Sequence, residues 1–177
     1  MHALSLTGAP SRRNAMRVIA ESIASHGTAI FCLHGIDEGD ALALATRFDC
    51  GYAYRGRQAL FWDSRYAARE VLDRYLPSSP LRAFDRRGLL QVEGSFGGVS
   101  LALMATQFAD ERAVRVLEVR FARTVLRKSR GAALLFVTGV ASGAIAFADL
   151  GFTTIASDTG TLVAARDVRA DAAVVTV

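Results

Sequence analysis

Two short uncharged runs, Thr28–Leu33 (TAIFCL) and Ala133–Val137 (ALLFV), constrain the architecture most. Each is too short for a core helix and nearly apolar throughout, so each reads as a strand buried on both faces. Around them the pattern is helical. Arg12–His26 carries Ala15, Met16, Ile19, Ala20 and Ile23 on one face and Arg13, Arg17 and Glu21 on the other, with Ser11 as N-cap and Gly27 as stop. Asp37 is placed to cap a second helix through about Phe48, carrying Leu42 and Leu44, and Asp110 to cap a long amphipathic helix to Arg130. Tyr66–Leu76 also reads as helical, ended by Pro77-Ser78-Ser79-Pro80.

Hairpins interrupt this alternation. Tyr52–Tyr54 and Ala59–Trp62 turn at Gly56, and Leu89–Glu93 and Val99–Ala105 pair around Gly94, Gly97 and Gly98. Ala144–Leu150 reads as a short helix closed by Gly151, and Val163–Arg166 and Ala172–Val177 as the last strands. The expected class is α/β (α+β): a layered sandwich of mixed, largely antiparallel β-sheets flanked by helices. No internal repeat or linker breaks it, so residues 1–177 are expected to form one domain.

Composition removes several function classes. With 51% hydrophobic and 21% charged residues the chain has enough apolar surface for a core, which excludes disorder. Two cysteines, Cys32 and Cys50, exclude a disulfide framework and a four-cysteine zinc site. The opening MHALSLTGAPSRR lacks the apolar core of a signal peptide, so a cytoplasmic location is expected. Gly131–Ala148 is 18 residues without a charge, but Thr138, Gly139, Ser142 and Gly143 break its middle. A buried strand, a turn and a short helix are expected there, and no membrane span.

Of the 21 basic residues 20 are arginine, and alanine occurs 31 times, a bacterial-type composition expected of a GC-rich genome. Arginine abundance alone therefore says little about nucleic acid. Position says more: residues 111–130 hold seven basic side chains against Glu111 and Glu118, a local +5, while the rest of the chain sums to −1.

The order of these segments resembles the endonuclease/exonuclease/phosphatase superfamily, the fold of pancreatic deoxyribonuclease and the apurinic-site endonucleases. That family has a helix and then a buried strand ending L-Q-E-[VI]-D; here Arg12–His26 precedes Phe31-Cys32-Leu33-His34-Gly35-Ile36-Asp37. Its later strand ending T-H-L, arginine-bearing helix and strand ending G-D-F-N resemble Thr106-Gln107-Phe108, the helix 111–130, and Leu134-Leu135-Phe136-Val137-Thr138-Gly139-Val140-Ala141. Asp149-Leu150-Gly151-Phe152 is similar to the L-G-F that follows.

The resemblance implies metal-assisted phosphodiester or phosphomonoester hydrolysis, in which the metal neutralises phosphoryl oxygens and acid/base groups move protons. The residues depart from it. The metal-holding Glu of the family falls on Gly35 and the His of T-H-L on Gln107. The Asp and Asn of G-D-F-N fall on Gly139 or Val140 and on Ala141 or Ser142, and the closing S-D-H would lie beyond Val177. The family's site uses two asparagines, and this chain has Asn14 alone. The leading expectation is accordingly a pseudoenzyme, a binding, regulatory or assembly protein on this scaffold with no cofactor.

Two alternatives carry named residues. A divergent Mg²⁺-dependent phosphoesterase or nuclease would need relocated ligands among His34, Asp37, Glu38, Glu118 and Asp149. A basic nucleic-acid-binding module would use Arg112, Arg115, Arg120, Arg123, Arg127 and Arg130, which share an arc of about 140° on a helical wheel. That stripe offers itself to phosphates, an acidic ligand or a protein partner. No aromatic residue interleaves it to stack bases, so a solvated face is the favoured reading. Glu118 falls on the apolar side with Leu117, Phe121, Ala122 and Val125, where a carboxylate needs an arginine or a backbone donor. Cys32 and His34 point the same way on one strand, without an activating context for a nucleophile.

Overall fold

The computed structural model describes residues 1–8, 11–77, 87–129, 131–139, 147–158 and 160–176. The expectations that fall on residues 78–80, 130, 140–146 and 177 lie outside these residues. Among the described residues eleven strands form two mixed sheets. The five-stranded sheet has the order β11 (Asp171–Thr176), β1 (His2–Thr7), β2 (Ile30–His34), β4 (Gln58–Trp62), β3 (Gly51–Arg55). The six-stranded sheet has the order β5 (Tyr66–Tyr75), β6 (Gly88–Phe96), β7 (Val99–Gln107), β8 (Ala132–Thr138), β10 (Thr161–Arg166), β9 (Thr153–Asp158). Parallel pairing is confined to β1–β11, β1–β2 and β7–β8; every other ladder is antiparallel.

The sheets pack face to face over Ile30, Cys32, Leu60, Leu103, Leu134, Phe136 and Val163. On the outer face of the five-stranded sheet lie α1 (Arg12–His26) and α2 (Glu38–Phe48), packing Ile19 and Leu44 onto Leu4, Phe31 and Phe61. On the outer face of the other sheet lies α3 (Arg112–Lys128), packing Ala122 and Leu126 among Met104, Leu135 and Leu162. The result is a four-layer α/β/β/α sandwich, the expected class.

Local chemistry sets most boundaries. Ser11 Oγ accepts from the Asn14 amide at 3.3 Å, and Gly27 closes α1 in the left-handed region at φ 60°. Asp37 Oδ1 accepts from the Asp40 amide at 2.8 Å and starts α2. The β3–β4 turn is a two-residue loop, Gly56-Arg57, with φ of 54° and 63°, the mirror-image turn that matches strand twist.

Four expectations are corrected. Tyr66–Leu76 is not a helix: its Ala, Arg, Glu and Leu favour one, but the segment pairs along β6 from Tyr66 with Phe96 to Tyr75 with Gly88, and that pairing overrides propensity. The resemblance predicts the two buried runs close together in one sheet; they lie in different, facing sheets. Asp110 does not cap α3; Glu111 holds that position without a side-chain bond. The buried face of α1 is Ala15, Ile19 and Ser22, which leaves Ile23 37% exposed, and Leu42 and Leu117 are 51% and 53% exposed. Strands β1 and β9 were not foreseen at all. Among the described residues no helix is long and apolar enough to cross a membrane.

Candidate functional site

Strand alternation puts one side chain in two between the sheets, and toward one end of the sandwich that inward series turns polar. In β1 it runs Ala3, Ser5, Thr7, and in β2 Ile30, Cys32, His34. In β8 it runs Leu134, Phe136, Thr138, and in β7 Leu103, Ala105, Gln107. Register aligns these ends. Thr176 stands beside Thr7, and His34 beside Gln58, on one sheet. Thr161 and Gln107 flank Thr138 on the other. Two facing rows of uncharged polar groups thus form the floor of a cleft of about 740 Å³, whose lining also includes Asp110.

The floor is bonded across the sheets. His34 Nδ1 lies 3.4 Å from Thr138 Oγ1, and its Nε2 lies 3.2 Å from Cys32 Sγ. Gln58 Nε2 donates across the sandwich to the carbonyls of Gly88 at 2.8 Å and Ala105 at 3.2 Å. Thr7 and Thr176 hydroxyls meet at 3.3 Å, and Thr176 donates to Asp158 Oδ2 at 2.9 Å. Burial lowers the His34 pKa to about 3, so its ring is neutral near pH 7. Burial also pushes the Cys32 thiol up, so this pair is not a thiolate–imidazolium dyad.

Cations occupy the mouth. Arg57 donates to the Gly35 carbonyl at 3.3 Å and Arg115 to the Gly139 carbonyl at 3.2 Å. Arg87 lines the same cleft while its Nε donates to Glu118 Oε1 at 3.0 Å. Gly35 and Gly139, which the resemblance places near the same cleft, both line it. A Cβ at Gly139 would sit 2.4 Å from the Phe108 carbonyl oxygen, and its φ of +82° disfavours any side chain, so this position has room for glycine alone.

The five proposed relocated ligands do not come together. His34 is in the floor. Asp37 and Glu38 begin α2, where Asp37 is spent on its cap. Glu118 is fully buried under the cleft, accepting from Arg87 and, through Oε2, from the Ala109 amide at 2.6 Å, the arginine and backbone donor its position called for. Asp149 pairs with Arg123 and lies 3.9 Å from Arg127. Among the described residues no three His, Cys, Asp or Glu side chains are grouped to hold a metal. The arginine stripe is partly engaged in the same way, by Asp149 and by Gly139, while Arg112 and Arg120 stay exposed.

Sequence reasoning missed Thr7, Arg57, Arg87, Thr161 and Thr176. The signal was present: apolar strand runs that end on a polar residue of inward parity, as in LSLT, FCLH, LMATQ, LFVT and AVVT.

No protein-family model matches the chain, and no curated protein matches it by sequence. Solved structures do. An endonuclease/exonuclease/phosphatase family protein from Bacteroides thetaiotaomicron superposes with a TM-score of 0.72 over 93% of this chain and 81% of that one, at 13% identity. A mannosyl-6-phosphatase from the same organism gives 0.72 over 93% and 84%, at 13% identity. A humanised TDP2 from D. rerio gives 0.65 over 92% and 82%, at 14% identity. At such identities the likeness is one of fold: the chain has the endonuclease/exonuclease/phosphatase fold.

Proposed function

We propose that this chain is a non-catalytic binding or regulatory protein that uses the strand-end cleft to hold a polar, negatively charged group. The observation that carries this reading is the make-up of the lining: four threonine hydroxyls, the Gln107 amide and the neutral imidazole of His34, with two arginines, Arg57 and Arg87, against one carboxylate, Asp110. Hydroxyls and amides hold an anion by hydrogen bonding, and guanidinium groups supply the charge. A hard divalent cation prefers several carboxylate oxygens, and the described lining offers it Asp110 alone, so this donor set fits one poorly. Gly35 offers no ligand, and Gly139 has no space for one. The glycine geometry favours the register in which Gly139 takes the place of the Gly of G-D-F-N and Val140 that of its Asp. The engagement of Arg123 and Arg127 by Asp149 supports the reading of the α3 stripe as a solvated face.

The test combines turnover and stability. With millimolar Mg²⁺ or Mn²⁺ the protein should hydrolyse neither generic phosphomonoesters nor phosphodiesters, and its melting temperature should not rise, since a ligand stabilises only by binding the native state. Inorganic phosphate or sulfate should raise it, and Arg57→Gln should weaken that rise. Metal-dependent hydrolysis lost in His34→Gln or Asp110→Asn would establish the enzyme reading instead.

A further inference from the structure

Each sheet ends in two edge strands, and one of these four is unlike the rest. β3, β9 and β11 are five or six residues long, whereas β5 has ten. Residues 67–71 and 73–75 are exposed, so side chains on both faces of β5 meet solvent. Val71 and Tyr75, large and apolar, are 52% and 51% exposed. Among the described residues no strand pairs with the outer side of β5. Charges normally blunt so long an edge. Those of β5 are arranged to attract a second copy of it.

Backbone bonding limits how a strand can add there. The Leu76 amide donates to the Arg87 carbonyl at 3.0 Å, continuing the register in which Tyr75 faces Gly88. Bonding alternates along an antiparallel strand, so Arg74, Leu72 and Glu70 bond to β6 while Val71, Asp73 and Tyr75 turn N–H and C=O outward. An antiparallel second β5 must match outward residue to outward residue. The two-fold axis then falls on a residue and never between two. This excludes the register that would set Glu70 against Asp73 and Arg69 against Arg74.

Charge selects among the registers that remain. An axis on Leu72 sets Glu70 against Arg74 of the second copy twice, with Leu72 against Leu72 between them. These are non-hydrogen-bonded pairs, in which side chains approach most closely. An axis on Asp73 would set two carboxylates face to face. An axis on Val71 would leave Glu70 opposite Leu72 and spend Arg69 on Asp73, which Arg55 already holds at 2.9 Å. It would also draw in the irregularity between Ala68 and Glu70, which residues 70–74 avoid.

Glu70 also lacks a cation within its own chain. It stands opposite Glu93 on β6, a like-charge pair that destabilises a ladder. Arg74 and Lys128 line a pocket with Glu93, yet among the described residues neither forms an ion pair with Glu70 or Glu93. Arg74 of a second copy supplies that charge.

We propose that β5 is a homodimerisation edge: a second copy of this chain adds its β5 antiparallel about Leu72, joining the two six-stranded sheets into one. The contact is isologous, so it closes on itself and leaves no free β5 edge for a third copy.

Sedimentation equilibrium from micromolar to sub-millimolar concentration tests this. The parent chain should approach twice its monomer mass at the upper end. Glu70→Arg and Arg74→Glu should each weaken association at least tenfold, because each sets like charges opposite one another, and the two changes together should restore it. Leu72→Cys should give a disulfide-linked dimer under mild oxidation, since a non-hydrogen-bonded pair brings the two Cα atoms to about 4.5 Å. Leu42→Cys, exposed on α2, should not link. Val71→Pro removes an outward N–H and no bond to β6, so it should leave a monomer with the parent's circular dichroism. Should that variant fail to fold, the charge changes and Leu72→Cys decide. A chain that stays monomeric throughout, a dimer indifferent to the charge changes, or Leu72→Cys linking no better than Leu42→Cys would overturn the proposal.

Discussion

His34 carries the clearest pH signature of the molecule. Its ordinary pKa of 6.5 falls to about 3 on burial, so between those values the unfolded chain binds a proton that the folded chain does not. Stability is fully present above pH 6.5 and is lost as pH falls toward 3, by an amount on the order of a few kcal/mol. His34→Gln should flatten that part of the curve, read as the difference between the two proteins in urea titrations from pH 7 to pH 4. An equal slope in both would mean that His34 is solvated. At Gly139 the prediction is steric: Gly139→Ala should cost about 3 kcal/mol, because it combines a strained φ with a Cβ 2.4 Å from a backbone oxygen. Denaturant midpoints measure it, and a loss below about 1 kcal/mol would show that the Phe108 carbonyl yields easily.

At the scale of the element, α3 joins two roles that its sequence shows only in part. Its buried face, Val114, Glu118, Ala122, Val125 and Leu126, includes a carboxylate that ties the helix to Arg87 and to the Ala109 amide. Glu118→Ala should cost about 3–5 kcal/mol in equilibrium unfolding, since it breaks a buried ion pair and leaves the Ala109 amide without its acceptor. On the outer side, changing Arg115, Arg123 and Arg127 together to glutamine should cost about 1 kcal/mol or less, because the pairs with Asp149 face solvent and, among the described residues, the Arg115 side chain bonds only to the Gly139 carbonyl. The same triple variant should leave retention on nucleic acid unaltered. Salt-sensitive binding by the parent protein that is lost in the variant would make the stripe a phosphate-binding surface.

For the whole molecule, the arrangement of the ends matters most. β1 sits between β11 and β2, so the first and last described strands are neighbours and close the five-stranded sheet. Truncation after Ala170 removes the outer partner of β1 and uncovers Ala3 and Leu4. It should abolish the single cooperative melting transition followed by circular dichroism. A truncated chain that still melts sharply would show that the six-stranded sheet and its helix hold the core by themselves.

Caps, turns and buried runs were legible in the sequence because a few neighbours decide them. Ser11, Gly27 and Asp37 act within four residues of their partners, and the TAIFCL and ALLFV runs are buried whatever lies beside them. The order of segments also carried the fold resemblance. The identity of β5, the central place of β1 and the split of the two buried runs between sheets were not legible, because they depend on which distant strand supplies the hydrogen bonds. The cleft was legible only in pieces for the same reason. Thr7, His34, Gln107, Thr138, Thr161 and Thr176 are scattered over the chain, each an ordinary polar residue at a strand end. Register and the facing of two sheets make them one surface, and no local rule contains that information.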